Sequence, residues 1–189
     1  MSRTRLFILL ISVISISLKL TGQNLQFYRE DIHFGIQKDN AVTDAVYNFC
    51  NLGEKDIRIS LFYPFPENTM DLIDSLVIED LKDHSILPYR EAVSGVFFGI
   101  SVKAYGQASY RVYFRQRLKE KNFKYILTST ESWGRSLEFA NFELRMPDSL
   151  TPDSLSYAPD TSFIQNNLQY FIWKKTDFMP VRDFEVKFH

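Results

Sequence analysis

The sequence predicts an all-β domain: two packed antiparallel sheets forming a β-sandwich, immunoglobulin-like in general shape, with about eight or nine strands. Three observations lead there. Apolar and polar residues alternate with a period of two along most of the chain, as in strands with one buried and one wet face. Aromatic residues make up 15% of the sequence, with 17 Phe and 10 Tyr, and flat rings suit a pleated surface. Turn-forming residues interrupt the alternation at intervals of roughly 10–20 residues, and no long stretch carries a helical period.

The first element is an export signal over residues 1–23. Arg3 and Arg5 precede the apolar run Leu6–Leu18, and a short polar region ends at Gln23. That run is shorter than the roughly 17–25 residues needed to span a bilayer, so a cleaved signal is favoured over a retained anchor. Residues 24–189 then form a single domain. Without Arg3, Arg5 and Lys19, 19 of the 22 basic residues remain against 23 acidic ones, a net charge of −4. Such a balance gives nucleic acid no general attraction. The export signal points to periplasmic or extracellular placement, and with the all-β fold to a protein or glycan partner of the envelope.

Ile32, Phe34 and Ile36 alternate with Asp31, His33 and Gly35 in a one-sided strand. Ala45, Tyr47 and Phe49 mark the core face of the next, and Asn51–Lys55 has hairpin composition. Ile57, Ile59, Leu61 and Tyr63 form a third, stopped by Pro64 and Pro66, which lack ladder donors. Residues Asn68–Leu81 fit either a helical face (Met70, Ile73, Leu76, Leu81) or a strand built on Leu76-Val77-Ile78; the all-β setting favours the strand. Asp80–Ser94 reads as a polar loop. Val96, Phe98, Ile100 and Val102 define another strand.

The cleanest alternation lies between Tyr105 and Pro147. Strands over Ala108–Leu118, Phe123–Thr130 and Leu137–Met146, with Trp133-Gly134 at a turn, read as a β-meander. Residues 147–162, with PDSL twice, read as a long polar loop, and strands at Leu168–Trp173 and Phe184–Phe188 close the domain.

No sequence signature specifies catalysis. Glycine is too sparse, at 7 residues, for phosphate-binding loops, and no nucleophile elbow occurs. His33, His84 and His189 lack metal-ligand spacing, and the acidic loop with Asp148, Asp153 and Asp160 lacks a calcium-loop pattern. No cofactor is expected. Glu79, Asp80, Glu91, Glu131 and Glu138 lie near strand ends and resemble ordinary surface charges. Cys50 has no partner for an internal disulfide and reads as a small buried hydrophobe.

Candidate binding residues fall into two groups. Arg111, Arg115 and Arg117, with Lys119, Lys121 and Lys124, form the one charge concentration, read first as the solvated face of a hairpin and second as a site for an anionic partner. Trp133 and Trp173, with Tyr113 and Phe171, are candidate aromatic platforms, although a turn tryptophan more often caps a core. The expected function is therefore a non-catalytic exported binding or structural module. The alternative is a carbohydrate-binding or carbohydrate-processing domain using Trp133, Tyr113 or Phe171.

The run Tyr125-Ile-Leu-Thr-Ser, then Trp133, then Ala140-x-Phe-x-Leu-x-x-Pro147, resembles a pattern in exported bacterial β-sandwich domains of unknown function. The closing Trp173, Phe178-Met-Pro180 and Phe184 extend the resemblance. It implies a β-sandwich and export, and it carries no catalytic residue.

Overall fold

The computed structural model describes residues 24–189, so the expected export signal at 1–23 lies outside the described residues. The strands are β1 (Leu25–Gln37), β2 (Asn40–Asn51), β3 (Ile57–Pro64), β4 (Ile73–Asp80), β5 (Ser85–Ile86), β6 (Tyr89–Ala92) and β7 (Gly95–Val102). They continue with β8 (Gln107–Arg117), β9 (Asn122–Tyr125), β10 (Leu137–Pro147), β11 (Pro152–Leu155), β12 (Thr161–Gln165), β13 (Leu168–Phe178) and β14 (Phe184–Phe188). Two short 3-10 segments, Met70–Leu72 and Thr128–Trp133, complete the described elements.

The all-β sandwich is as expected, and its layers are unequal. One layer is an eight-stranded sheet in the order β12-β13-β10-β1-β2-β8-β4-β5. Two three-stranded sheets, β11-β14-β9 and β3-β7-β6, pack against it side by side. The first covers β1, β10 and β13: Phe184 stacks on Phe34 at 4.5 Å between centroids and meets Trp173 edge-on at 5.2 Å. The second covers β2 and β8, where the Tyr110 hydroxyl donates to the Ser101 carbonyl of β7 at 2.8 Å. The alternation that predicted the strands is what fills the interlayer space. Ile32, Phe34, Ala45, Val112, Phe114, Ala140 and Leu144 are all buried.

Several expectations change. Residues 105–147 do not form a meander. β8 pairs with β2 and β4, β9 with β14, and β10 with β1 and β13, so three successive strands enter different ladders. The connections Leu118–Lys121 and Ile126–Ser136 carry the chain from one layer to the other and back, rather than turning each strand beside its predecessor. β9 also stops at Tyr125, and Thr128–Trp133 coils as a 3-10 segment ended by Gly134 at φ 68°, a left-handed position that suits glycine. β10 returns beside β1 in parallel, so the large sheet is not wholly antiparallel.

The strand within Asn68–Leu81 is present as β4, preceded by the 3-10 turn at Met70–Leu72. Fourteen strands among the described residues replace the eight or nine expected, chiefly because β5, β6, β11 and β12 lie in stretches whose polarity suggested loops. They are edge or near-edge strands; β12, for example, is exposed throughout, and such positions need no apolar face. Cys50 is not buried: it sits half-exposed on the outer face of β2, with burial and the carboxylate of Glu138 raising its thiol pKa.

Candidate functional site

The two small sheets do not pair with each other. β3 and β9 are the edges that face across the division, and among the described residues neither has a second ladder partner there. Below the division runs β1, and its phase brings an acidic residue to the core face. Leu25 and Phe27 point inward, a β-bulge falls between Phe27 and Arg29, and Glu30, Ile32, Phe34 and Ile36 then point inward. The bulge shifts the register by one residue. Glu30 is thereby placed under the gap with 2% of its surface exposed.

Three tyrosines converge on the same place from three strands. Tyr47 comes from β2, opposite Glu30 in the β1–β2 ladder; Tyr63 comes from β3 and Tyr125 from β9. Tyr47 and Tyr63 hydroxyls lie 2.9 Å apart, Tyr63 donates to Tyr125 at 3.1 Å, and Tyr47 also bonds Tyr125. Each hydroxyl can donate one hydrogen bond and accept two, so the ring leaves acceptor capacity unspent. All three are buried. Burial, and for Tyr47 and Tyr125 the neighbouring phenols, push their pKa values upward, so they stand as neutral hydrogen-bonding groups.

Glu30 has no such satisfaction. Its Oε1 is enclosed and has no hydrogen-bond partner among the described residues. Burial, with the adjacent Asp31 charge adding to it, raises the carboxyl pKa from 4.5 to about 8. An enclosed, unpartnered carboxyl oxygen carries a cost of about 1–3 kcal/mol, which the fold retains here.

The carboxyl and the tyrosines line a cavity of about 70 Å³. Its wall is aromatic: Phe27, Phe49 and Trp133 form a cluster with centroid separations of 5.3, 5.5 and 5.8 Å. The cavity continues outward into a groove of about 580 Å³ between the β3 edge and the Thr128–Trp133 segment. Leu61, Phe62, Pro64, Ile126, Ser129 and Trp133 belong to both spaces. Ser60, Thr128 and Ser132 supply hydroxyls along the outer part, and Glu131 supplies a carboxylate. Among the described residues, no Lys, Arg or His lines either space.

Trp133 is therefore at the site, half-buried, capping the Phe27–Phe49 cluster on one side and lining the groove on the other. The other sequence candidates are elsewhere. Trp173 is 0% exposed, with its indole N–H donated to the Tyr157 carbonyl at 3.1 Å, and it offers a ligand no surface. Phe171 is likewise buried. Arg111, Tyr113, Arg115 and Arg117 occupy the outer face of β8, on the far side of the large sheet from the cavity. Arg111 grips Asp44 through two bonds of 2.6 and 2.7 Å, reaches Glu79 at 3.5 Å, and lies over the Tyr113 ring. Arg115 bonds Asp74 at 2.7 Å, and Arg117 donates to the Asp71 carbonyl at 3.4 Å. Lys124 pairs with Asp183 at 3.0 Å. Internal acids thus neutralise much of the basic patch, which weakens it as an anion site. Among the described residues, no three of His, Cys, Asp and Glu gather as metal ligands.

Sequence reasoning passed over Glu30, although a signal for it existed. It stands two residues before Ile32, in phase with Ile32, Phe34 and Ile36, so that frame places it inward. Leu25 and Phe27 are in the opposite phase, which is the mark of the bulge.

No family model matches the chain, and no curated protein matches it in sequence. Solved structures do share its fold. One is a Legionella pneumophila protein described as a "putative nutrient binding protein", at a TM-score of 0.66 and 12% identity, covering 87% of this chain and 67% of that one. Another is the M1 zinc metallopeptidase of Deinococcus radiodurans, at a TM-score of 0.51 and 10% identity. It covers 87% of this chain, which spans 42% of the peptidase's length. A complex of the same peptidase with a Tyr-Ser-Ala substrate matches at a TM-score of 0.52. At these identities the likeness carries the β-rich fold.

Proposed function

We propose that this domain is a non-catalytic binding module, exported to the cell envelope or exterior, that takes a small ligand in the groove between β3 and Thr128–Trp133. The observation that carries the reading is the enclosed Glu30 oxygen without a partner, set in an aromatic cavity that continues into the groove. Ligand sites are typically concave and mostly apolar, with a few convergent polar groups and a perturbed titratable residue. The groove has that make-up and a volume in the usual range of about 300–1,000 Å³. The shared fold of a protein described as nutrient-binding lends support. The basic n-region and short apolar run of residues 1–23 support export.

A thermal-shift panel of amines, amino acids, sugars and carboxylates tests the reading, run on the wild type and on Ser129→Trp. Ser129 is exposed at the groove, so the larger side chain fills it without entering the core. Stabilising compounds that lose their effect in the variant support the site. Compounds that stabilise both proteins equally place binding elsewhere.

A carbohydrate ligand is the second reading. Trp133 beside Ser60, Thr128, Ser129 and Ser132 is a stacking face with hydroxyl partners, the usual make-up of a sugar subsite. The sugar arm of the same panel separates it from the first.

A further inference from the structure

Resting on the reading of this groove as the ligand site, we infer that its ligand carries a primary ammonium head, seated against Glu30 and the tyrosine ring, with a less polar body along Trp133 and Phe62. Three properties of the site point to this head group: charge, hydrogen bonding and size.

The first is charge. Among the described residues, the cavity and groove together present two carboxyl groups, Glu30 and Glu131, and no basic side chain. An anionic ligand would meet these acids without a counter-charge. A cation meets a carboxylate at the inner end and another beside the outer end. Aromatic faces add to this attraction, because their π quadrupoles favour cations by about 0.5–2 kcal/mol. Phe27, Phe49 and Trp133 form such a wall.

The second is hydrogen bonding. An ammonium group has three N–H donors and no acceptor. The inner end of the cavity offers the unpartnered Oε1 of Glu30 and the spare acceptor positions of Tyr47, Tyr63 and Tyr125. These acceptors match that donor set. A quaternary ammonium would present no donors and leave the oxygens unsatisfied.

The third is size. A cavity needs about 10–15 Å³ per water by this measure, and one of about 150 Å³ accepts benzene. At about 70 Å³, the inner chamber suits an ammonium nitrogen and its first carbons rather than a whole ring. The rest of the molecule lies in the outer groove, between Trp133 and the half-exposed Phe62 on the β3 edge.

Seating the cation requires the ionised carboxylate, so the proton of Glu30 leaves for solvent as the ammonium enters. The titratable groups facing Glu30 are Tyr47 on β2, Tyr63 on β3 and Tyr125 on β9, with Asp31 beside it on β1 and Glu131 at the groove. The tyrosines remain neutral through pH 9, and Asp31, despite its partial burial, is held below its ordinary value by hydrogen bonds from Arg29 and Asn141, so Glu30 sets the pH dependence. With its carboxyl pKa at about 8, the competent fraction rises from about 1% at pH 6 to about 90% at pH 9.

The test is calorimetric titration of the described domain with butylammonium, butan-1-ol and butanoate at pH 6 and pH 9. An alkylammonium, like a lysine, keeps its proton across this range. The expected result is saturable binding of butylammonium, roughly 90-fold tighter at pH 9 than at pH 6. It should be lost in Glu30→Gln and in Ser129→Trp, with no comparable binding of the other two. The pH response of the wild type keeps the test valid even if a variant misfolds. Binding of butan-1-ol or butanoate that Ser129→Trp abolishes overturns the ammonium head and leaves the groove standing. Butylammonium binding that ignores both substitutions, or no binding of butylammonium at either pH, overturns the inference.

Discussion

Replacing Glu30 by Gln isolates the energetic consequence of burying an ionisable group without a partner. In the unfolded chain this carboxyl titrates at 4.5, and in the folded protein at about 8. Between those values the folded state holds one more proton than the unfolded state, so stability falls as pH rises through the window. The slope approaches ~1.4 kcal/mol per pH unit, and between pH 5 and pH 8 the loss from this group amounts to about 3.5 kcal/mol. Below pH 4.5 the carboxyl is neutral in both states and the penalty is absent. Gln has nearly the same shape and remains neutral, so Glu30→Gln removes the slope. Any cost of orienting its amide, about 1–3 kcal/mol, is independent of pH. Urea unfolding at half-unit steps from pH 5 to pH 8 measures the two curves, with tryptophan emission as the signal. The stability difference, variant minus wild type, should grow by about 3–4 kcal/mol across the series. For a domain of this size that corresponds to about 7–14 °C in Tm. Curves that stay parallel within ~0.5 kcal/mol would refute the argument, because they would mean that Glu30 titrates alike in both states.

Other substitutions test other parts of the account. Tyr47→Phe removes the hydroxyl that bonds both Tyr63 and Tyr125 but leaves those two 3.1 Å apart, so unfolding measurements should register a loss of about 1–1.5 kcal/mol. Gly95→Ala would place a Cβ 2.2 Å from the Tyr63 carbonyl oxygen, forcing β3 outward; a loss of about 1–3 kcal/mol is expected, together with a weaker ligand-induced thermal shift. Trp173→Ala empties a fully buried site and should cost about 3–5 kcal/mol by urea unfolding. Asp44→Asn, at the half-exposed Arg111 pair on the outer face, should cost under ~1 kcal/mol and leave ligand binding unchanged by calorimetry.

Much of the sandwich is legible because its signal is local. In β2 and β8, residues two apart share a face, and a strand with one wet side must alternate. Pairing is another matter. Nothing in the alternation of β8, β9 and β10 states that each joins a different ladder, since that depends on where the eleven-residue stretch Ile126–Ser136 carries the chain. β5, β6, β11 and β12 escaped notice for a related reason: strands at or near an edge need no buried face, so their composition resembles that of loops. The candidate site was partly legible. Trp133 stood out by residue type, and Tyr47 and Tyr63 fell on predicted core faces. Their meeting with Tyr125 and Glu30 is a product of topology, joining four strands from three sheets, and no sequence spacing encodes it. The arginines of β8 drew the eye as a run of charge. Their acidic partners, Asp44, Asp74 and Glu79, lie 67, 41 and 32 residues away in the chain and become visible only when the strands align.

The two tryptophans provide the most direct test of the central claim, that the groove beneath β3 is the ligand site. Trp133 lines the groove and Trp173 lies in the closed core, so a nitrogen-15 correlation spectrum carries two indole signals, one from each environment. Titration with butylammonium at pH 8 should move the Trp133 indole signal saturably and leave Trp173 in place, with the movement abolished by Ser129→Trp. Saturable binding by calorimetry that leaves the Trp133 signal fixed, or a Trp133 signal that moves unchanged in the blocked variant, would contradict it.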